Sequence, residues 1–549
     1  MLHQKYLKSR PNRHRHQRRS GHTLRGDKMP RWLTWLAWAS VVVAVIIFCG
    51  LWPVMAHDLL MHLASGQWTW RHGDVLRVDP FNYPNAGHPF VAHSWLAEVV
   101  FYLIEQTAGT VGFMLLRFAL SSAALTFSLG TARILKAPGP VLLLLAPCVL
   151  GIVWYRLEFR PQLFTTLLLA AELWLIISVH LGHRSWRWLW VLPPMMALWI
   201  NLHGGWVQGL AMLAVITGAV AAMAIRRHWS DRGVTSAIPL RPLMLVLGAC
   251  LLALLLNPYG WRLVVLPLEM EASWIRAMTP EWQSPWGNPA GWGNVGAGLV
   301  FSLSPLFWIY VALLVGALLL AIKRWRTGDL IPVAVMGVWL ALSLRHLRTV
   351  ADAVLLTSPF VAASFAAKAW HTRRWPVAVG IGGLSTLVAV AVWGLWQVPN
   401  WRWSWQWDHL RPRCVEAVVA RIPQPVRVFG WPLWAIWLLY DQPGHVQVTS
   451  IYWDYVMGQR LTAELEHVWT SPAAVKAHLE RYHVEVILQT REDLSDIPLF
   501  RSWGYELIHT DARFYLMMKR TPATEMFIHE QTAFPRPRCV DGDVTLRTG

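Results

Sequence analysis

Long apolar runs set the pattern of this chain. They lie near 32–54, 110–131, 139–155, 162–180, 187–201, 205–225, 241–257, 297–322, 330–344, 350–368 and 375–396. Runs of ~18 or more apolar residues read as membrane helices, because ~20 residues cross the hydrocarbon core. The pattern therefore predicts about eleven spans. Between the first two runs lies a polar, aromatic loop, 55–109, which contains "HDLLMHLASGQWTWRHGDVLRVDPFNYPNAGHPFVAHSW". It continues into the amphipathic "SWLAEVVFYLIEQ", expected to rest on the membrane surface with Glu98 and Glu105 as its wet face. Beyond about residue 399 the period changes. Strand-like "VRVFG", "VQVTS", "VEVILQT", "YELIHTD" and "RFYLMMKR" alternate with helical "AAVKAHLERYH" and "DLSDIPLFRSW". That alternation predicts a compact α/β domain over 399–522, followed by a tail, 523–549.

Composition agrees with a membrane protein. Hydrophobic residues make up 55% of the 549 and charged ones 15%, below the roughly 25% usual for soluble proteins. The net charge of +18 does not imply nucleic acid, because the basic residues alternate with the apolar spans. The segment 1–31 is strongly basic and reads as a cytoplasmic tail. With that end inside, "ARILK", "HLGHRSWR", "IRRHWSDR", "IKRWRTG" and "KAWHTRR" all fall on the inner side, and each carries Lys or Arg. The expected protein is an α-helical, multi-pass protein of the cytoplasmic (inner) membrane. Its transmembrane domain covers 32–398, and its C-terminal α/β domain is extracytoplasmic. Of five cysteines, Cys49, Cys148 and Cys250 lie in or beside apolar spans. Cys414 and Cys539 bracket the outer domain and would pair in an oxidising compartment.

On this topology the unusual polar residues gather on the outer side. Asp58 and His62 are four apart, so a helix would place them on one face, as a base with its orienting partner or as metal ligands. A carboxylate so near the bilayer is costly unless it has a role. Asp79, before Pro80, is either a turn cap or a second active carboxylate. His93 is either a turn terminator or a catalytic residue. Arg160, Arg345, His346 and Arg348 cluster at outer helix ends, where arginine forks suit phosphate oxygens; snorkelling at a helix end is the alternative. Asn201, His203 and Tyr259 lie in the turn-forming strings "NLHGG" and "NPYG", which serve either structure or substrate binding. Glu281 lies in the outer loop string "EWQSP". No Walker loop, GxSxG, HExxH or CxxC is present.

The first-loop string, followed in order by "RPQLF", "LWINLHGGW", "LNPYGWR", "EWQSP" and "RHLR", resembles the signatures of bacterial integral-membrane glycosyltransferases of the GT-C superfamily. The resemblance covers about residues 50–370. It implies inverting transfer of a sugar from a polyprenyl-phosphate-linked donor to a glycan, lipid or protein acceptor outside the membrane. Asp58 would be the base or a metal ligand, with Asp79 the second candidate. Arg345, Arg348 and Arg160 would hold the carrier phosphate. A divalent metal at Asp58 and His62 stays open, because His57 stands where a second acidic residue would be expected. "YWDYVMG" resembles the WWDYG motif of oligosaccharyltransferases, but it has Tyr452 at the first position and a displaced Gly458, so the motif is not carried over. Topology supports a lipid-linked donor independently. Nucleotide sugars are made inside, whereas the polar residues face out. Two rival readings remain. A transporter or flippase would show repeats and ionisable groups deep in several helices, whereas here the charges are expected at outer ends. A non-enzymatic scaffold would tolerate changes at Asp58, Asp79 and Arg345.

Overall fold

The structure, a computed structural model, describes residues 58–153, 159–229, 236–270, 284, 305–365, 411–451 and 454–533. The apolar runs from 110–131 through 350–368 coincide with helices wherever they are described. Those at 32–54 and 375–396 lie outside the described residues, as do Glu281 and Cys539. Four described helices are long and apolar enough to cross a membrane.

The first loop opens with α1 (Leu59–His72), which packs along α2 (Trp95–Ile134). Gly66 makes that approach possible. A Cβ there would run into the Glu98 carbonyl, so a side chain would force the two helices apart. Within α2, Gly109 adopts φ 50° and ψ −141°. This breaks the helix between its loop-associated first part and the apolar run that begins near 110, and the positive φ costs glycine little.

The bundle continues with α3 (Gly139–Val153), α4 (Gln162–His180), α5 (Leu192–Leu202), α6 (Trp206–Trp229), α7 (Leu240–Ala253) and α8 (Trp261–Met270). It ends with α9 (Pro305–Thr327), α10 (Leu330–Arg345) and α11 (Val350–Ser364). α2 lies against α4 and α11, and α10 lies against α6, α9 and α11. Three of the expected inner segments meet at one end. His180 contacts Ser236 at 3.0 Å and Asp329 at 3.5 Å, Arg324 pairs with Asp329 at 3.2 Å, and Arg226 donates to the Trp325 carbonyl at 3.4 Å.

Not all charges lie at helix ends, contrary to expectation. Arg117 and Glu172 are buried within α2 and α4, while Asp352 is buried in the first turn of α11. Glu172 is fully buried, and neither carboxylate oxygen has a hydrogen-bond partner.

The C-terminal domain has the expected α/β character. After α12 (Arg413–Val419) come β1 (Val426–Gly430), α13 (Pro432–Asp441) and β2 (Val446–Val448). Then follow α14 (Asp454–Val468), α15 (Pro472–Arg481), β3 (Val486–Thr490), α16 (Ile497–Ser502), β4 (Tyr505–Thr510), β5 (Phe514–Lys519) and α17 (Glu525–Ala533). The sheet order is β2-β1-β3-β5-β4, with β1 parallel to both neighbours and β5 antiparallel to β3 and β4. Cys414 is buried at the start of α12 and is disulfide-bonded.

The domain is joined to the first loop rather than hung beside it. Asn82 bridges Val448 in parallel, extending the sheet past β2, and the Val448 amide donates to the Phe81 carbonyl at 2.9 Å. The Tyr83 hydroxyl lies 3.0 Å from Thr449 Oγ1 and 2.8 Å from His478 Nε2, and Tyr440 donates to Glu105 at 2.7 Å. Glu98 and Glu105 are therefore not a wet face. Glu98 is sealed between α1 and α2, and Glu105 accepts a hydrogen bond from Tyr440 of the C-terminal domain.

Candidate functional site

Asp58 precedes the first turn of α1, and its carboxylate meets Arg160 Nε at 3.1 Å, both side chains being part-exposed. One turn on, the backbone amide of His62 donates to the Asp58 carbonyl at 3.1 Å. The helical spacing thus brings the His62 ring below Asp58, where its Nδ1 lies 3.0 Å from Glu98 Oε1. Ser65 Oγ donates to the other Glu98 oxygen at 2.5 Å. Because a carboxylate accepts, Nδ1 carries a proton and donates it to this bond. A carboxylate that fixes a histidine tautomer is the geometry by which base histidines are oriented.

His93 lies beyond His62, at the end of the loop. Its ring centroid is 6.1 Å from that of His203. Its accessible surface is intermediate, yet it is deep enough among protein atoms that desolvation holds its pKa down at about 3, with His62 and Arg348 adding to the effect. Arg348 therefore belongs to this group. His346 ends α10 in an extended conformation and is buried, and the following turn, Leu347–Thr349, leaves Arg348 half-buried. Arg345 is exposed on the last turn of α10.

His203 is held from behind. Trp199 Nε1 donates to Thr165 Oγ1 at 2.8 Å, and that hydroxyl lies 2.8 Å from His203 Nδ1. The Gly205 amide donates to the same nitrogen at 3.0 Å, so Nδ1 accepts and the ring proton sits on Nε2. Behind Arg348, Asp352 is buried in the first turn of α11 and accepts from Thr166 at 3.1 Å. Asp352 follows Arg348 by four residues, across the turn Leu347–Thr349 and into α11.

Other expected residues have structural positions. Asp79 is buried at 1% exposure and accepts from the amides of Phe81 (2.9 Å) and Asn82 (3.0 Å) and from the side chains of Asn82 (2.7 Å) and Asn85 (2.9 Å). Burial raises its pKa, and the two asparagine side chains oppose that most strongly. Its turn-capping alternative describes this geometry, and its oxygens are committed to the loop's own fold rather than to the group around Asp58. The Tyr259 hydroxyl donates to the Leu76 carbonyl at 2.8 Å and accepts from the Ala92 amide at 3.1 Å, tying the loop's two ends together. Asn201 accepts from Trp95 Nε1 at 2.8 Å and donates to the Ala197 and Leu256 carbonyls at 2.7 and 2.9 Å. These two residues shape the loop from below. Asp58 pairs with Arg160 and His62 contacts Glu98, and among the described residues no group of three or more metal-ligating side chains gathers.

The residues that sequence reasoning missed are Glu98, Ser65, Thr165 and Asp352. Ser65 carried a signal, being three residues from His62 on the same helix, and Asp352 carried one, being four residues from Arg348. Glu98 is 36 residues from His62 and carried none.

No protein-family model and no curated protein sequence matches the chain. Solved structures do. One is the archaeal oligosaccharyltransferase AglB from Archaeoglobus fulgidus in complex with an inhibitory peptide and a dolichol-phosphate. It superposes with TM-score 0.54 at 11% identity, over 88% of this chain and 74% of that one. Another is ArnT from Cupriavidus metallidurans bound to undecaprenyl phosphate, with TM-score 0.51 at 12% identity, over 90% of this chain and 99% of that one. The apo form of the Archaeoglobus fulgidus oligosaccharyltransferase matches at TM-score 0.55 and 11% identity, over 86% and 71%. At such identity the likeness is one of fold, and it spans most of the chain: the chain shares the fold of these proteins.

Proposed function

We propose that this protein is a membrane glycosyltransferase that moves a sugar from a polyprenyl-phosphate-linked donor to an acceptor on the outer face of the membrane. The observation that carries this reading is the grouping of the Asp58–Arg160 pair with His62, His93, His203 and Arg348. The fold is one in which solved proteins hold dolichol-phosphate and undecaprenyl phosphate. Asp58 takes the proton from an acceptor hydroxyl as that oxygen bonds to the anomeric carbon. The bond from that carbon to the phosphate oxygen breaks, and its electron pair leaves with the lipid phosphate. Arg348 and Arg160 stabilise the charge that grows there. Arg345, exposed at the rim, attracts the carrier without gripping it.

The test compares glycans of intact cells, and turnover in nanodiscs, between wild type and variants. Asp58→Asn is expected to lower transfer ~10²–10⁴-fold with the melting temperature unchanged. Arg348→Ala should raise the donor KM by ~10-fold or more, and Arg345→Ala less. Wild-type turnover in Asp58→Asn would sink the assignment of the base. A transporter reading draws on the ionisable groups buried in α2, α4 and α11. It requires Glu172 for activity, whereas the transferase reading does not.

A further inference from the structure

The C-terminal domain contains a cleft of about 520 Å³, within the roughly 300–1,000 Å³ of small-ligand sites. Its position follows from the sheet. The chain leaves β1 for β2 on one side and then crosses to β3 on the other, so strand order reverses between β1 and β3. In open α/β sheets such a reversal opens a crevice at the carboxyl ends of the strands, where ligands bind. Trp431 follows the last residue of β1, and Asp493 and Asp496 lie just past the end of β3. All three line the cleft, together with Trp434, Trp469 and Trp503.

The lining pairs exposed aromatic faces with two aspartates, Asp493 and Asp496. Trp431 is 48% exposed and Trp469 38%, unusual for the largest apolar side chain. Trp469 is not loose. It stacks on Phe429 at 4.7 Å and 22°, and Trp431 meets it edge-on at 5.8 Å and 64°. Hydrogen bonds hold Asp493 in place. Thr490 donates to the Asp493 carboxylate at 2.7 Å, and Tyr515 donates to the Asp493 carbonyl at 3.0 Å.

We infer that this cleft binds a saccharide. The C–H groups on one face of a pyranose carry slight positive charge and lie well on the negative face of an indole ring. Its hydroxyls donate charge-assisted hydrogen bonds to carboxylates. Two carboxylates in the lining select neutral or amino-bearing sugars over anionic ones, and they repel an anionic lipid surface that exposed tryptophans would otherwise enter. A purely apolar ligand would strip water from both carboxylates with no compensation. The cleft is separate from the group around Asp58. That its occupant is the acceptor glycan rests on the proposed transfer reaction, but saccharide binding itself does not.

The experiment uses the full-length protein in nanodiscs, applied to an array of neutral, amino-bearing and acidic oligosaccharides, with titration of any that is retained. Wild type should retain neutral or amino sugars. Trp431→Ala and Asp496→Asn should each weaken that binding by ~10-fold or more at unchanged melting temperature, and Trp431→Phe should keep most of it. Asp58→Asn should bind sugar like wild type even where transfer is lost, so failure of the catalytic assignment and failure of this site are separable. The inference is overturned if the array retains nothing, if only acidic sugars bind, if a tryptophan-rich peptide or anionic vesicles bind in place of sugar, or if Trp431→Ala binds as tightly as wild type.

Discussion

At the scale of single residues, three histidines of the candidate site are each held in a different way. His62 has its protonated nitrogen turned to Glu98, and His203 has its acceptor nitrogen turned to Gly205 and Thr165. His93 is kept neutral by desolvation. The last has a consequence for stability. The unfolded chain takes up a proton on His93 below its ordinary value of 6.5, whereas the folded protein does not until about 3. The unfolded state thus binds more protons in that window, and stability falls as pH is lowered through it. Buried His478, lowered to about 4 by burial and by Arg481, acts with the same sign. Thermal unfolding between pH 7 and 4 should therefore show a falling melting temperature, and His93→Gln should flatten part of that slope. An unaltered slope would mean that His93 titrates normally. The four-residue spacing of Asp58 and His62 was legible, because a helix turns that spacing into proximity. Glu98, 36 residues from His62, was legible only as an acidic residue on an amphipathic stretch. Which face of that stretch is covered depends on α1.

At the scale of elements, close packing of α1 on α2 creates that cover. Gly66→Ala would drive a methyl group into the Glu98 carbonyl. Because backbone rather than a flexible side-chain end must yield, the expected cost is ~1–3 kcal/mol, read as a lower melting temperature with loss of transfer. Wild-type stability in the Gly66→Ala variant would show that the helices can part cheaply. Within α4, Glu172 faces Gly209 and Trp199 of the neighbouring helices without a hydrogen bond. Replacing an unsatisfied buried polar group by an apolar one of similar size is typically stabilising, by ~1–3 kcal/mol. Glu172→Met should therefore raise the melting temperature and leave transfer intact. Loss of activity in this variant would favour transport instead. Helix positions were readable from apolar runs because every span must bury or face lipid along its length. Buried Glu172 was not singled out, since one polar residue hardly alters the mean of a long apolar window.

At the scale of the molecule, the C-terminal domain and the first loop form one sheet-edge junction. Tyr83→Phe removes the hydroxyl shared with Thr449 and His478. It is expected to cost ~1 kcal/mol and to expose the loop 73–94 to limited proteolysis. Equal protease resistance in this variant would mean that the Phe81–Val448 pairing holds the loop alone. The amino-acid sequence by itself determined the helical runs and the alternating strands and helices of the C-terminal domain. Each of these follows from local periodicity, which neighbouring residues fix. It also marked Asp58, His62 and the arginines as candidates, since charge beside an apolar run is costly enough to stand out. Only the tertiary structure decided that Asp79 and Tyr259 build the loop, that Glu98 orients His62, and that Arg348 rather than Arg345 approaches His93. It alone brought Trp431, Trp469 and Asp496 around one cleft. Those assignments depend on which elements touch, and contact between distant segments is set by packing of the whole bundle and sheet rather than by any local spacing.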